Sequence, residues 1–236
     1  MAKSWSIIPK QCRCEFCSRE FSDELRLINH VCEKKRRWFQ KDQPQGRIAF
    51  LAWSRFYELN GQFASNKTKK SYKEFINSKY YRAFSRFSRH LLDTAAPEPE
   101  RFIDYVIKNN LPIDKWTHDQ VYAEYVKDLI RTESPEQALE RGIMLMREWS
   151  QQHEKSWTDF FRDVNTNQLT NWIKTGRISP WVLYNAASAE DALQRCTPEQ
   201  IGIISSTAPA VQWGMRFKTQ KDGTAFVRQT LKKAGL

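Results

Sequence analysis

Four residues near the start of the chain are of the types that bind transition metals through thiolate and imidazole groups. Cys14 and Cys17 form a C-x2-C pair, His30 follows after twelve intervening residues, and Cys32 lies two residues further on. Cys thiolates and a His imidazole are the ligands that tetrahedral Zn²⁺ sites in proteins use. The spacing therefore predicts a Zn²⁺ site. Because so short a segment has little other core, we expect its folding to depend on the metal.

The segment resembles the C2H2 zinc-finger family in more than its ligand spacing. Phe21 and Leu27 stand where such a finger keeps its two core side chains. The resemblance implies a ββα-like fold in which two Cys from a hairpin and a His from the following helix share the metal. Ser22 is the expected N-cap of that helix, with Asp23 and Glu24 in its first turn.

The fourth ligand departs from that family, which places it three to five residues after the first His on the same helix face. Cys32 is only two residues beyond His30, and two such positions on a helix point about 200° apart. His30 and Cys32 therefore reach one metal only if the helix ends at or near His30, with Cys32 on an unwound turn. Cys12 is the alternative fourth ligand, although its C-x-C spacing with Cys14 makes a strained chelate.

Charge is distributed unevenly along the chain. Lys and Arg number 38, and Asp and Glu number 27. Residues 1 to 90 carry 20 basic and 8 acidic side chains, whereas residues 91 to 170 carry 9 and 15. An N-terminal region this basic favours a polyanionic partner, with nucleic acid before an anionic membrane. Duplex DNA is the expected partner.

Cysteine usage and hydropathy bear on where the protein works. Four of the five cysteines lie within the first 32 residues, which fits a metal site in a reducing compartment better than a disulfide framework. The sequence shows no signal peptide and no apolar run near eighteen residues. We therefore expect a soluble, intracellular protein without membrane contact.

Two sets of side chains are candidates for nucleic-acid binding. Counted back from His30, the positions that read bases in DNA-binding fingers include Arg26 and Asn29, which suit guanine and adenine edges. A single finger covers about three base pairs, so most of the affinity would come from basic residues that contact phosphates. These residues are Lys34, Lys35, Arg36, Arg37, Lys79, Arg82, Arg86 and Arg89. For the first four, a solvated linker is the alternative, and for the last four it is an ordinary solvated face.

Beyond the finger the sequence predicts helices almost throughout. The clearest runs from about Tyr72 to Leu92, where Tyr80, Phe84, Phe87 and Leu91 share one stripe. The second group of basic residues follows the same spacing on the opposite stripe. The aromatic side chains should therefore belong to the core, and the basic row should be an exposed face.

Helix-start signals extend this pattern to the C-terminus. Three capping boxes are expected, at Thr117 with Gln120, Ser134 with Gln137, and Thr197 with Gln200. The predicted fold is all-α, a multi-helix globular domain with an N-terminal ββα-like zinc finger. The predicted domains are the finger with its basic extension over residues 1–40 and a helical domain over 45–236, with a further boundary near 155–165.

The stretch T-G-R-I-S-P-W-V-L-Y holds the candidate catalytic residues. Pro180 is an expected first helical residue, so Arg177 and Ser179 should lie beside a new helix N-terminus, with Tyr184 one turn along. Backbone N–H groups and a guanidinium at such a place are able to bind phosphate. A helix–helix corner in which these side chains only pack is the alternative. The chain has no P-loop, dinucleotide fingerprint, nucleophile elbow or H-E-x-x-H motif.

Four stretches of the body carry a further resemblance, and they are K-Y-Y-R-A-F-S-R-F at 79 to 87, F-I-D-Y-V-I-K at 102 to 108, D-K-W-T at 114 to 117 and G-R-I-S-P-W-V-L-Y at 176 to 184. They are similar to helical proteins of tailed phages that belong to DNA-modification systems. This resemblance covers roughly residues 45 to 236. It implies a location in the host cytoplasm and action on DNA, such as that of an amino-acid:DNA transferase acting on hypermodified thymine. It supplies no catalytic residues position by position.

Three functions are consistent with these patterns. The first is a zinc-containing DNA-binding protein of a phage-like DNA-processing or DNA-modification system. The second is a DNA base-modifying transferase. The third is a structural zinc adaptor that binds protein partners.

Overall fold

Two short strands and the helices that follow them make up the region that carries the candidate metal ligands. The computed structural model of the protein describes residues 12–59 and 70–236, so the first eleven residues of the predicted finger lie outside it. Within these ranges the chain forms one two-stranded sheet and fifteen α-helices. The predicted all-α class with a small N-terminal sheet is confirmed. None of the helices in the described ranges combines the length and apolar character that crossing a bilayer requires.

The chain divides into two compact units, residues 1–89 and residues 90–236. The domain boundaries predicted from the sequence, near residues 40–45 and near 155–165, stay a prediction. The first unit thus contains the finger segment together with helices that follow it, because side chains from both parts pack on one another.

The first unit begins with an antiparallel pair of strands in which Cys12 lies opposite Phe21 and Arg13 opposite Glu20. Its elements are β1 (Cys12–Arg13), β2 (Glu20–Phe21), α1 (Glu24–Asn29), α2 (Glu33–Phe39), α3 (Pro44–Leu59), α4 (Tyr72–Asn77) and α5 (Tyr81–Asp93), the last of which continues past residue 89.

The single helix predicted from Tyr72 to Leu92 is wrong, since α4 and α5 are separate helices. Ser78 ends α4 with an extended backbone, φ −68° and ψ 140°. Its hydroxyl oxygen accepts hydrogen bonds from the Tyr80 N–H at 3.1 Å and from the Trp53 indole N–H at 3.2 Å. A serine hydroxyl that bonds to nearby backbone in this way competes with helix continuation.

Despite the break, the helix faces predicted for this region are confirmed within α5, whereas Lys79 and Tyr80 lie in the turn before it. Phe84, Phe87 and Leu91 are buried, while Tyr80 is half-buried. The four basic residues of the opposite stripe are all exposed, and they are Lys79, Arg82, Arg86 and Arg89. Burial of large aromatic side chains is the main favourable contribution to a core of this kind, so the apolar stripe is structural.

Gly46, in the first turn of α3, permits a close backbone approach. A Cβ atom built on Gly46 would overlap the carbonyl oxygen of Gln40. We expect Gly46→Ala to destabilise the first unit by about 1–3 kcal/mol, because backbone rather than a mobile side chain would have to shift. Gly202→Ala is the matched control, since its Cβ position has no heavy atom within 4 Å apart from its chain neighbours and the nearby backbone of its own helix.

In the control, alanine inside a helix should be neutral or stabilising by up to about 1 kcal/mol. Thermal unfolding followed by circular dichroism measures both variants. Equal effects at the two positions would contradict the steric argument.

The second unit is built from short and medium helices joined by tight turns. Its α-helices are α6 (Pro99–Lys108), α7 (Asp119–Thr132), α8 (Pro135–His153), α9 (Phe160–Asp163), α10 (Thr166–Lys174), α11 (Pro180–Leu183), α12 (Ala189–Gln194), α13 (Pro198–Thr207), α14 (Ala210–Thr219) and α15 (Lys221–Lys233). Two 3-10 turns, Ile113–Lys115 and Trp157–Asp159, interrupt them.

Two of the three predicted capping boxes are present. The hydroxyl groups of Ser134 and Thr197 each accept a hydrogen bond from the backbone N–H of the N3 residue. The side-chain oxygen of the N3 glutamine accepts a hydrogen bond from the backbone N–H of the cap residue. The box predicted at Thr117 is wrong, because α7 begins one residue later with His118 as its N-cap and no side-chain bond there. The preceding 3-10 turn determines this start, since the His118 N–H donates to the Lys115 carbonyl at 3.0 Å.

Candidate metal centre

The strand pair and its turn position the first two cysteines. The Cys14 N–H donates to the Arg19 carbonyl at 2.9 Å, and the Ser18 N–H donates to the Cys14 carbonyl at 2.8 Å. Ser18 adopts a left-handed conformation with φ 61°, which closes the turn tightly. Cys14 is buried and Cys17 is half-buried, so both sulfur atoms are held on the inner side of the turn.

Helix α1 brings the histidine to the same place and ends there. The His30 backbone has φ −75° and ψ 119°, outside the helical region, while its N–H still donates to the Leu27 carbonyl at 3.2 Å. The Phe21 ring packs on the imidazole with 4.6 Å between ring centres. The prediction that the helix stops at or near His30 is confirmed.

Cys32 begins the next helix. It is the N-cap of α2, with φ −80° and ψ 165°, and its sulfur accepts from the Lys35 N–H at 3.4 Å. His30 and Cys32 therefore both have extended backbone and flank Val31. This geometry avoids the 200° rotation that a continuous helix would impose.

The four predicted ligand atoms come together. One sulfur or nitrogen atom from each of Cys14, Cys17, His30 and Cys32 lies within 4.8 Å of all the others, and Cys17 Sγ is 3.2 Å from His30 Nε2. The group is close enough to bind a metal ion. Cys12 lies outside this group, since β1 places it opposite Phe21 in the strand pair.

The thiols of this group influence one another electrostatically. Burial of the Cys14 thiol acts to raise its pKa, but hydrogen bonds from the backbone of Cys17 and Phe16 leave that pKa lowered on balance. For Cys17 a backbone bond from Arg19 acts to lower the pKa, while burial and the neighbouring Cys14 and Cys32 thiols raise it overall. Three sulfur atoms at this spacing cannot all ionise without a compensating positive charge.

One detail of the finger helix differs from the sequence prediction. The N-cap of α1 is Asp23 and not Ser22, and the Asp23 carboxylate accepts from the Arg26 N–H at 2.8 Å. Both residues are good N-caps. The structure selects Asp23 because Ser22 directly follows β2 and instead donates its hydroxyl to the Asp23 carboxylate at 2.9 Å.

The two base-reading candidates lie on the exposed side of α1. Arg26 forms an ion pair with Asp23 at 3.4 Å, and Asn29 is exposed. The same helix presents two apolar side chains to solvent, Leu25 at 70% and Ile28 at 61% of full exposure. Exposed apolar side chains at i and i+3 on a finger helix are a feature that the ligand and charge patterns did not indicate.

The basic residue at the end of the run after the site is turned inward. Arg37 Nη1 donates to the Ile76 carbonyl at 2.9 Å, and its Nη2 donates to Glu33 at 2.8 Å. The guanidinium also lies 4.2 Å from the centre of the Tyr81 ring. Arg37 therefore joins α2 to α4 and α5, and it is poorly placed to bind a phosphate as well.

The other members of that run differ among themselves. Lys35 Nζ donates to the carbonyls of Ile28 and His30, at 3.4 Å and 3.2 Å, and so caps the end of α1. Arg36 is exposed and pairs with Glu33 at 3.1 Å. Lys34 is half-buried. The run is therefore partly structural, and nucleic-acid contact by its members stays a prediction.

The basic row on α5 is less engaged. Arg82, Arg86 and Arg89 are exposed, and within the described part of the chain none has a carboxylate oxygen within 4.0 Å. Lys79 Nζ lies 4.9 Å from the centre of the Tyr80 ring. Helical spacing of three and four residues places the three guanidinium groups on one side of α5.

The candidate catalytic residues have protein partners. The Ser179 side chain is fully buried, caps α11 and donates to Glu133. Arg177 pairs with Glu148 at 2.9 Å. The Tyr184 hydroxyl donates to the Ala208 carbonyl. Their catalytic role stays a prediction, and the contacts seen are those of a helix–helix corner.

A buried ionic network that the sequence did not reveal lies behind Ser179. Glu133, whose side chain is fully buried, accepts from Ser179 and from Arg141. Arg141 is 13% exposed and also donates to Glu98 at 3.2 Å. Burial raises the pKa of Glu133, although the charge of Arg141 and the Ser179 hydrogen bond act to lower it.

No family model, curated protein or solved structure matches the chain. The two resemblances are thus carried by the quoted residues alone. For the finger, the structure adds a donor cluster and a two-stranded sheet. The resemblance to tailed-phage proteins stays a prediction.

Proposed function

We propose that this is a zinc-containing DNA-binding protein of a phage-like DNA-processing or DNA-modification system. Zinc stabilises the N-terminal segment, and basic side chains of the first unit contact the phosphate backbone of duplex DNA. The observation that carries the proposal is the donor cluster of Cys14, Cys17, His30 and Cys32, whose ligand atoms all lie within 4.8 Å of one another.

The cluster suits zinc in both chemistry and size. Three thiolates and one imidazole are a common ligand set of structural Zn²⁺ sites, and soft sulfur ligands select against Mg²⁺ and Ca²⁺. With Zn–S bonds of about 2.3 Å, the ligand atoms of a tetrahedron lie roughly 3.7 Å apart. Four protein ligands leave no position open for substrate, so we assign the metal a structural role.

DNA binding is supported by the charge of the first unit. Arg82, Arg86 and Arg89 form an exposed row on α5 with no carboxylate within ion-pair distance in the described residues. Cations that are not neutralised within the protein are available to displace counterions from a phosphate backbone. Sequence reading by Arg26 and Asn29 would add to this affinity only if α1 enters a groove.

We expect the triple variant Arg82→Gln, Arg86→Gln, Arg89→Gln to bind duplex DNA more weakly and with a shallower salt dependence. Each lost phosphate contact should reduce the slope of log K against log salt by about 0.9, so the slope should fall by about 2 to 3. Fluorescence anisotropy of a labelled duplex measures this slope. The salt concentration is varied between about 50 and 200 mM, because the affinity of DNA-binding proteins changes by about 10³-fold over that range.

The matched control removes three exposed basic residues of the second unit, Lys218, Lys232 and Lys233, also by glutamine substitution. It changes the net charge equally and should leave the slope nearly unchanged. Equal loss in both variants would show that net charge alone governs binding, against the proposed surface.

A protein-binding adaptor is the second candidate. It is favoured by the exposure of Leu25 and Ile28 on α1, since large apolar side chains grouped on a surface mark interaction sites. Such an adaptor would show no salt-dependent duplex binding, and Leu25→Glu with Ile28→Glu would abolish partner association while zinc content is retained. The DNA-binding proposal expects duplex affinity to survive this double variant.

A DNA base-modifying transferase is the third candidate, and it is favoured by one observation in the second unit. Arg177 lines a cavity of about 470 Å³ together with Arg141 and Glu98. Incubation with duplexes that carry ordinary or modified thymine, followed by nucleoside mass spectrometry, tests it. A new nucleoside would establish an enzyme, and none in either duplex would remove this candidate.

A further inference from the structure

The second unit contains a larger cavity that the proposed function does not use. It has a volume of about 700 Å³ and lies between α6 and α7 on one side and α13 and α14 on the other. Pockets for small-molecule ligands fall in the range of about 300 to 1,000 Å³. Its wall combines apolar surface, including Tyr105, Ile130 and Trp213, with amide, hydroxyl and basic groups. The polar groups come from Asn109, Ser206, Gln212, Lys127 and Arg216.

Arg216 is held rigidly in the wall of this cavity. Its guanidinium carbon lies 4.6 Å from the centre of the Trp213 ring and 5.1 Å from that of Trp181. Nη1 donates to the Ile130 carbonyl near the end of α7 at 3.0 Å. Both indole rings are buried. An arginine fixed in this way loses little side-chain entropy when it binds a ligand.

The charge of Arg216 is incompletely balanced. Within the described residues no carboxylate oxygen lies within 4.0 Å of its guanidinium, and Glu133, which attracts it from further away, is already paired with Arg141. Protein hydrogen bonds occupy Nη1 once, at Ile130, and Nε weakly, at Gln220 with 3.4 Å. A guanidinium has five donors, so Nη2 and the second Nη1 hydrogen remain for a ligand.

The other ionisable groups of the cavity set the kind of ligand. Lys127 and Arg131 add positive charge, while Glu124 and Asp128 add negative charge. Asp128 is neutralised by Arg131 at 2.6 Å. The charged groups that remain unbalanced are Arg216, Lys127 and Glu124. Two cations beside one carboxylate suit an anion whose remaining part is polar and forms hydrogen bonds, more than they suit a bare anion.

We propose that this cavity binds a phosphate monoester of nucleotide size, with Arg216 contacting the phosphate through its Nη atoms. Lys127 attracts the anion electrostatically. The hydroxyl of Ser206 and the amide of Gln212 line the space that the remainder of the ligand occupies. The site is independent of the metal cluster and of the basic row in the first unit.

The test uses the full chain with two probes, inorganic phosphate and adenosine 5′-monophosphate, followed by isothermal titration calorimetry. Both should bind to the wild-type protein, the nucleotide more tightly. Loss of charge-assisted hydrogen bonds in Arg216→Gln should weaken nucleotide binding about 10- to 100-fold. Lys232→Gln, an exposed change outside the cavity, should leave the affinity unchanged.

A second variant separates ligand binding from folding. Gln212 is exposed at the cavity wall, so Gln212→Trp should obstruct part of the space without removing a buried contact. It should weaken nucleotide binding at an unchanged melting temperature. The proposal would be overturned if neither probe bound at concentrations up to about 10 mM, which corresponds to a binding free energy of roughly −3 kcal/mol. Unchanged affinity in both variants would overturn it as well.

Discussion

Replacement of Cys17 by Ser is expected to lower zinc affinity by well over 100-fold and to unfold residues 12–39. Loss of a direct ligand should exceed the roughly 10- to 100-fold effect of altering groups that only orient ligands. Apart from the contacts that Arg37 and Trp38 make at its C-terminal end, the segment has little else to hold it. Its strands are two residues each, and α1 and α2 contain no fully buried residue. Helices this short are marginal without tertiary support.

The size of this effect follows from the coupling of metal binding and folding. In finger peptides structural zinc binds with an apparent free energy of about 10–16 kcal/mol near neutral pH, and most of it is folding energy. Zinc content by elemental mass spectrometry and amide hydrogen exchange across residues 12–39 measure the outcome. Cobalt substitution reports the ligand set through its absorption spectrum.

Two cysteine variants serve as controls and identify the fourth ligand. Cys196 lies in the second unit, so Cys196→Ser should retain the metal. Cys12→Ser should also retain the metal, whereas Cys32→Ser should lose it, because Cys32 belongs to the donor cluster and Cys12 does not. Full zinc occupancy in Cys32→Ser together with loss in Cys12→Ser would reverse this assignment.

Replacement of Arg141 by Ala is expected to destabilise the second unit by about 3–5 kcal/mol, the usual effect of removing one partner of a buried ion pair. It leaves the Glu133 carboxylate, which is fully buried, without a nearby cation. Arg147→Ala is the matched control on the same helix. Arg147 is exposed, and its guanidinium carbon lies 5.8 Å from the centre of the Trp157 ring, so its loss should have an effect below about 1 kcal/mol.

The pH dependence of the Arg141 variant has a defined sign. Burial raises the pKa of Glu133, and loss of Arg141 removes a charge that opposes this rise. A carboxyl group whose pKa is higher in the folded state than in the unfolded state binds its proton more tightly when folded. The variant should therefore lose stability, relative to wild type, as pH rises above about 4.3 towards the folded pKa of Glu133. Urea unfolding at several pH values measures this, and a pH-independent difference would contradict it.

The sequence was most informative where local geometry decides the structure. Because His30 and Cys32 are two residues apart, only a helix end between them allows both to reach one site, and α1 does end there. The α5 stripe of Phe84 and Phe87 follows equally from helical periodicity. These features depend on neighbours within one or two turns, which a single sequence displays directly.

What could not be predicted depends on residues far apart in the chain. Arg37 looks like part of a solvated basic run, yet its inward direction is set by Tyr81 and Ile76. Glu133 and Ser179, 46 residues apart, form a buried pair that no periodicity marks. The Asp23 cap was missed for a different reason, since two adjacent residues were both suitable caps and only the end of β2 distinguishes them.

Because Cys32 lies at the start of α2, the metal site also bears on the orientation of that helix. In the C2H2 family the last two ligands lie on one helix, whereas here they belong to two. An ion bound by both would restrict the torsion angles at Val31 and so fix the heading of α2. Arg37 and Trp38 on that helix contact Tyr81 and Tyr72. Coordination geometry would thereby determine how α2 is oriented on α4 and α5. Oxidation of one ligand thiol would release this restraint and allow α2 to rotate relative to them.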